Sequence, residues 1–264
     1  MDINLKQGII SVFHLEVLKG STLKYYYYSF VYLSAHLPFI PRKKVLKYLQ
    51  TKQELFTIKN RIGKFKCRFN DDSFIKSSDI FEQQYQHFLQ QKNKDILLDI
   101  GANIGFYSVL ALNKYNYKKV YAFEPDKKTF EYLKENKRIN NLDATLFNLG
   151  LGECNKEVKF QENIFHTGAN KITNKGKKKI SVRVGDALLS EEQKKRVTFI
   201  KIDVEGYEYN VLQGLEETLA KMMKDTKLFI EITENKDKIQ SLLRLKGFKM
   251  QKKIGRNYAF MKSS

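Results

Sequence analysis

The sequence predicts a doubly wound α/β domain from about Asp95 onward: a mostly parallel sheet with helices on both faces and a closing antiparallel hairpin. Three observations carry that prediction. Short apolar runs of strand length alternate with helical stretches, the rhythm of repeated βα units. The first run ends in a glycine-containing turn, Asp99-Ile100-Gly101-Ala102-Asn103-Ile104-Gly105, which leads straight into a helical segment. The chain finishes in two strand-like stretches, Phe248–Lys253 and Tyr258–Met261, around Gly255-Arg256-Asn257, which add an antiparallel pair at one edge.

Each element has a local reason. Ile96–Ile100 is too short for a helix and suits a strand buried on both faces. Gly105–Asn113 reads as the first helix, Val120–Phe123 as the second strand and Lys127–Asn140 as the second helix, with Pro125 at its approach. Strands follow at Ala144–Leu149, Ile180–Val184, Thr198–Ile202 and Leu228–Ile232, with an excursion at Val158–Phe160. Glu208–Lys221 and Asp237–Lys246 read as helices. The dense lysine run Lys171–Arg183 is expected to lie on the surface as a mobile loop.

Residues 1–77 are expected to form a helical and β-hairpin extension, and residues 78–264 the main domain. Residues 1–50 read as helical, interrupted by Pro38 and Pro41. Leu55–Lys59 and Lys64–Phe69 flank Asn60-Arg61-Ile62-Gly63, a hairpin signal. In Ser78–Gln91, Ile80, Phe81, Tyr85, Phe88 and Leu89 recur at helical spacing. Tyr25–Pro41 lacks Lys, Arg, Asp and Glu, is crowded with aromatics, and is flanked by Lys24 and Arg42-Lys43-Lys44. It falls short of the roughly 20 apolar residues of a membrane span. Two roles stay open for it: peripheral contact with the inner face of a membrane, or cover for the main domain.

The formal charge is +19, from 48 basic and 29 acidic residues. Forty of the 48 are lysines, whereas sites that read phosphate tend to favour arginine, and the excess is dispersed. Most of it therefore reads as solvated lysine faces. Cys67 and Cys154 show no CxxC spacing, which argues against a disulfide scaffold or zinc ribbon and fits a reducing, cytoplasmic compartment. His14, His36 and His87 are too scattered for a metal centre, and no metal is expected. The N-terminus has no signal-peptide layout.

The chemistry concentrates at strand ends. In open α/β sheets, ligands sit at the carboxyl ends of strands near the switch point, where Asp99–Gly105 falls. Gly101 is expected to let the backbone turn and approach a ligand, and Gly105 to bring the next helix close. A dinucleotide fingerprint would place glycine at 101, 103 and 106, where Asn103 and Phe106 fail; no GxxxxGK[ST] occurs either. The loop therefore suits a nucleoside without a pyrophosphate. Glu124 ends the second strand some twenty residues on, where a carboxylate can take both ribose hydroxyls; capping of the next helix is its plain structural alternative. Asp203-Val204-Glu205-Gly206 follows the strand Thr198–Ile202, so its carboxylates emerge at the same edge. Asp203 could orient or deprotonate an acceptor hydroxyl, and Glu205 and Glu208 could bind acceptor hydroxyls or, with no spacing to support it, a metal; Asp203 or Glu205 could equally hold neighbouring loops or cap the next helix. His166 has the right acid–base range for a general base and is equally common as an idle surface residue.

These three motifs, Leu98–Ser108, Ala122-Phe123-Glu124-Pro125 and Lys201–Glu208, with Ile230-Glu231-Ile232 after them, resemble in order and spacing the FkbM-type methyltransferases across roughly residues 78–235. The resemblance implies a class I, Rossmann-like methyltransferase fold that uses S-adenosylmethionine, usually for O-methylation of sugar or natural-product hydroxyls. By position it puts Asp99, Gly101, Asn103 and Gly105 around the methionine portion, Glu124 on the ribose, and Asn148 and Gly150 near the adenine. His166-Thr167-Gly168-Ala169-Asn170 departs from the small, serine-containing stretch usual there.

The leading expectation is an O-methyltransferase with a sugar or small-molecule hydroxyl acceptor. An RNA methyltransferase using the basic surface is the alternative, though no RNA-binding module or Asn/Asp-Pro-Pro-Tyr-type motif supports it. A non-catalytic scaffold is the third reading, disfavoured because a scaffold has no need of a ribose carboxylate.

Overall fold

The structure, a computed structural model, describes residues 15–35, 37, 39–69, 73–78, 81–163 and 169–263. Strands β1 (Glu16–Lys19), β2 (Phe56–Lys59) and β3 (Lys64–Cys67) form an antiparallel sheet in that order. The β2–β3 hairpin arises as the sequence predicts: the Asn60 side-chain oxygen accepts the Ile62 and Gly63 N–H groups and folds the turn. Strand β1 was expected as helix. Four residues are too few to show a period, and it is pairing with β2 that makes them a strand. The helices Thr22–Ser34 and Arg42–Gln50 are present; Pro38, His14, His36 and Ile80 lie outside the described residues.

β4 (Ile96–Ile100), β5 (Lys119–Phe123) and β6 (Ala144–Phe147) begin the main sheet. β7 (Gly150–Leu151), β8 (Lys156–Gln161), β9 (Lys171–Ile172) and β10 (Lys178–Arg183) form a second, small sheet in the order β7-β10-β8-β9. This corrects the surface-loop reading of Lys171–Arg183: Ile180 and Val182 are buried, and β10 is an inner strand whose lysines point outward. β11 (Val197–Ile202), β12 (Lys227–Glu231), β13 (Phe248–Ile254) and β14 (Asn257–Lys262) complete the main sheet, ordered β13-β14-β12-β11-β4-β5-β6. Every pairing among β4, β5, β6, β11 and β12 is parallel; β14 runs antiparallel to β12 and to β13. All residues of β4 and β11 are buried, as helices on both faces require.

Two helices differ from expectation. Of Ser78–Gln91, the described residues form only short turns at Gln83–Gln86 and His87–Leu89, after Glu82 takes a left-handed conformation (φ 48°). Glu208–Lys221 divides at Gly214. A Cβ on Gly214 would sit 2.1 Å from the Gly152 carbonyl, and Asp186 caps the second half by accepting the Glu217 and Thr218 N–H groups.

The extension is stitched to the main domain. On helix Lys127–Asn140, the side-chain oxygens of Asn140 and Asn136 accept the Lys64 and Lys66 N–H groups of β3, each at 2.7 Å. Asn136 also donates to the Ile104 carbonyl in the glycine turn, at 2.7 Å. Tyr25, Phe56 and Phe65 share one apolar cluster with Leu97, Phe106 and Val109.

Candidate functional site

The chain runs outward through β4, β5 and β6 and then crosses back to lay β11 on the other side of β4. β4 and β11 stay paired to their ends, where the Asp203 N–H donates to the Ile100 carbonyl, and it is the connections leaving those ends that run to opposite sides and open the crevice. Gly101 (φ 73°), Asn103 (φ 52°) and Gly105 (φ 86°) give the turn its left-handed steps. Asn103 tolerates its conformation by accepting the Ile104 N–H with its own side chain. Gly101 and Ala102 both donate to the Phe123 carbonyl, so the turn is tied to the end of β5.

Both glycines also meet a need beyond the turn itself. A Cβ at Gly101 would lie 1.9 Å from the Asp203 carbonyl oxygen, and one at Gly105 would lie 2.6 Å from Leu133. Close approach to protein, at the end of β11 and on the next helix, already demands glycine at each.

Glu124 is buried and turns toward the glycine turn. One carboxylate oxygen accepts the Asn103 N–H at 2.9 Å, the other the Asp126 N–H at 2.9 Å. Burial raises its pKa to about 7 against these two donors. Capping of the next helix falls to Asp126, which accepts the Thr129 N–H. Asn148 donates to the Glu124 and Pro125 carbonyls and braces the same strand end.

A cleft of about 620 Å³ opens beside these groups. Gly101, Asn103, Glu124, Gly150, Asp203 and Glu205 line it, with Phe123, Pro125, Leu151, Phe160 and Ile172 as apolar walls and Tyr207 and Asn170 among its polar groups. Three carboxylates and no Lys, Arg or His are found among its described lining residues. Asp99 and Gly105 are absent from that lining, as is Asn148; His166 lies outside the described residues.

Behind Asp203 sits a network the sequence did not announce. The buried Lys201 ammonium donates to the Gly101 carbonyl at 2.9 Å and stands 3.5 Å from Asp203 and 3.8 Å from Asp99. Burial would depress the Lys201 pKa, but the carboxylates of Asp203, Asp99 and Glu82 outweigh it and raise it. Asp99 is fully buried and accepts the Ser108 hydroxyl at 2.6 Å; its other oxygen has no hydrogen-bond partner, and burial raises its pKa. Tyr107 donates to Glu82 at 2.6 Å, and Glu82 is pushed up to about 7 by burial and then by Asp203. Glu205, in a left-handed conformation (φ 52°), is raised to about 7 by burial and by the Asp203 and Glu231 charges. Glu208 is spent on the turn itself, accepting the Gly206 N–H at 2.7 Å. No group of three His, Cys, Asp or Glu among the described residues is arranged to hold a metal ion.

Phe160, Ile172, Tyr207 and Lys201 are what sequence reasoning missed. The alternation in β8 was the available signal for Phe160. Lys201, by contrast, looked like any lysine on a strand.

A sheet ordered β6-β5-β4-β11-β12-β14-β13, with a glycine turn after its first strand and a carboxylate after its second, is that of a class I methyltransferase. The comparison with known families agrees: residues 99–251 match the methyltransferase FkbM domain, and the chain belongs to that family. It is similar to the hexuronic acid methyltransferase AglP of Haloferax volcanii, 29% identical over 169 residues, covering 56% of this chain and 70% of that protein. It is also similar to Methyltransferase 1 of Beauveria bassiana, 25% identical over 181 residues, covering 58% and 71%. Among solved structures, M. jannaschii TYW2 in complex with AdoMet aligns with a TM-score of 0.42 at 14% identity, over 78% of this chain and 83% of that one.

Proposed function

We propose that this methyltransferase moves a methyl group from S-adenosylmethionine to a hydroxyl group, with a sugar as the acceptor class. The observation that carries the reading is the cleft's charge: three carboxylates and no basic side chain among its described lining residues. Such a lining repels phosphate and suits a phosphate-free nucleoside carrying a sulfonium and an ammonium. A carboxylate has about four acceptor positions, and Glu124 uses two on backbone N–H groups, so ribose hydroxyls can take the rest. Phe123, Leu151, Phe160 and Ile172 supply apolar walls for a purine, with Gly150 leaving room beside them.

When bound, the donor supplies an electrophilic methyl carbon. This chain's own part is to align an acceptor oxygen and take its proton. Asp203 and Glu205 stand at the β11 end of the cleft for that task, and Lys201 fixes the charge around Asp203. A pKa of about 7 suits Glu205 as a proton acceptor near neutrality. The sugar class is supported by the likeness to the hexuronic acid methyltransferase.

Calorimetry with S-adenosylhomocysteine tests the donor, and mass spectrometry of glycans from cells with and without the gene tests the acceptor. Micromolar binding and loss of a glycan methyl group are expected. Absence of binding defeats the donor assignment, whereas binding with unchanged glycan methylation defeats only the sugar.

A further inference from the structure

The two N-terminal helices carry a surface that the methyl-transfer chemistry does not use. On helix Thr22–Ser34, Tyr25 and Tyr28 point inward onto Phe56 and Phe69. Leu23, Tyr27 and Phe30, spaced four and three apart, point out, with Leu23 81% and Phe30 72% exposed. The connection to the second helix presents Leu37, Phe39 and Ile40, and Phe39 is 93% exposed, a bare aromatic ring at the tip of a helical hairpin. Arg42, Lys43, Lys44 and Lys47 follow at once and make no ion pair among the described residues. Between Glu16 and Glu54 the sequence holds seven basic residues and no acid.

We propose that this hairpin is a peripheral membrane-binding device that inserts Phe39 and Ile40 among the lipids of an anionic bilayer while Arg42, Lys43 and Lys44 lie on its headgroups. Charge and apolarity meet here as an interface requires: aromatic and aliphatic side chains sink to the acyl boundary and the flanking cations stay at the charged surface. Among the described residues no helix is long and apolar enough to cross a membrane. A second copy of the chain is a poor occupant, since it would set two acid-free basic segments against each other. Single-stranded nucleic acid could use the cations and stack a base on Phe39, but it has no use for the aliphatic Leu37, Ile40 and Leu23 exposed with them.

The test is co-sedimentation of the full chain with vesicles of phosphatidylcholine alone and of phosphatidylcholine containing about a third phosphatidylglycerol. Binding to the anionic vesicles only, weakened by salt, is expected. At roughly fivefold per charge, R42Q/K43Q/K44Q should lose about a hundredfold in affinity. F39S/I40S should lose about tenfold or more. All five side chains lie outside the core, and both variants should bind S-adenosylhomocysteine as the parent chain does, which shows that they fold. The proposal falls if anionic vesicles leave the chain in the supernatant, if F39S/I40S binds them undiminished, or if single-stranded RNA at equal phosphate concentration strips the chain from them.

Discussion

Replacing Glu124 by glutamine tests its hold on the glycine turn and its proposed hold on the ribose separately. Its two oxygens accept the Asn103 and Asp126 N–H groups at 2.9 Å each, and hydrogen bonds to a charged acceptor contribute about 1.5–3 kcal/mol apiece. Glutamine keeps the shape and one acceptor oxygen, but turns an NH₂ group toward the second N–H. The folded chain should therefore lose about 1–3 kcal/mol, whereas alanine strands both donors and should lose about 3–5 kcal/mol. On the ligand side, above pH 7 where Glu124 is ionised, trading the proposed acceptor of the ribose hydroxyls for a neutral one should cost about 1.5–3 kcal/mol, or roughly 10- to 150-fold in affinity. Denaturant titration reads the first quantity and calorimetry with S-adenosylhomocysteine the second. A glutamine variant that is destabilised as expected, yet binds with the affinity of the parent chain, would show that Glu124 only pins the glycine turn; the ribose role would then be refuted.

Asp203→Asn should leave S-adenosylhomocysteine binding nearly unchanged and lower single-turnover methyl transfer by about 10²–10⁴, the range of a lost general base; unchanged turnover would leave Asp203 with a structural part only. Gly101→Ala should destabilise the chain by at least about 2–3 kcal/mol, because its Cβ would meet the Asp203 carbonyl at 1.9 Å in a conformation with φ 73°; an unshifted thermal midpoint would contradict that geometry. Glu82, Glu124 and Glu205 are each raised from an ordinary 4.5 to about 7, with burial the leading cause. Acids raised on folding stabilise the fold fully below their unfolded pKa, and lose that contribution as pH rises through the folded value. The ligand-free chain should thus lose stability between about pH 4.5 and 7, while affinity for the cationic donor rises across the same window; a melting temperature flat over that range would count against it.

The parallel strands and the closing hairpin were legible because buried strands are contiguous apolar runs, and Ile96–Ile100 and Thr198–Ile202 stand out against a lysine-rich background. The residues now seen at the cleft through Gly101, Glu124 and Asp203 were legible for a related reason: each ends a strand, and strand ends converge. What stayed hidden depends on contacts distant in sequence. Lys201 stands out neither in type nor in position until Asp99 and Glu82 arrive from distant parts of the chain to join Asp203, two residues on. Of the small sheet, Ile180–Val184 and Val158–Phe160 were legible as strand, but their pairing was not, because its other two strands are only two residues long. For Gly101 the turn was legible but the clash that also demands a glycine was not, since it comes from a strand a hundred residues later.

Asn136 has a consequence for how the chain can be altered. Its amide holds the Lys66 N–H of the N-terminal sheet with one atom and the Ile104 carbonyl of the glycine turn with the other. Trimming the protein back to its parallel sheet would take away the first of these partners and free a buried side chain to rotate away from the second. A force or displacement applied to the leading strands thus has a two-bond route to the backbone that shapes the crevice, and an engineered truncation there should be judged by ligand affinity as well as by solubility.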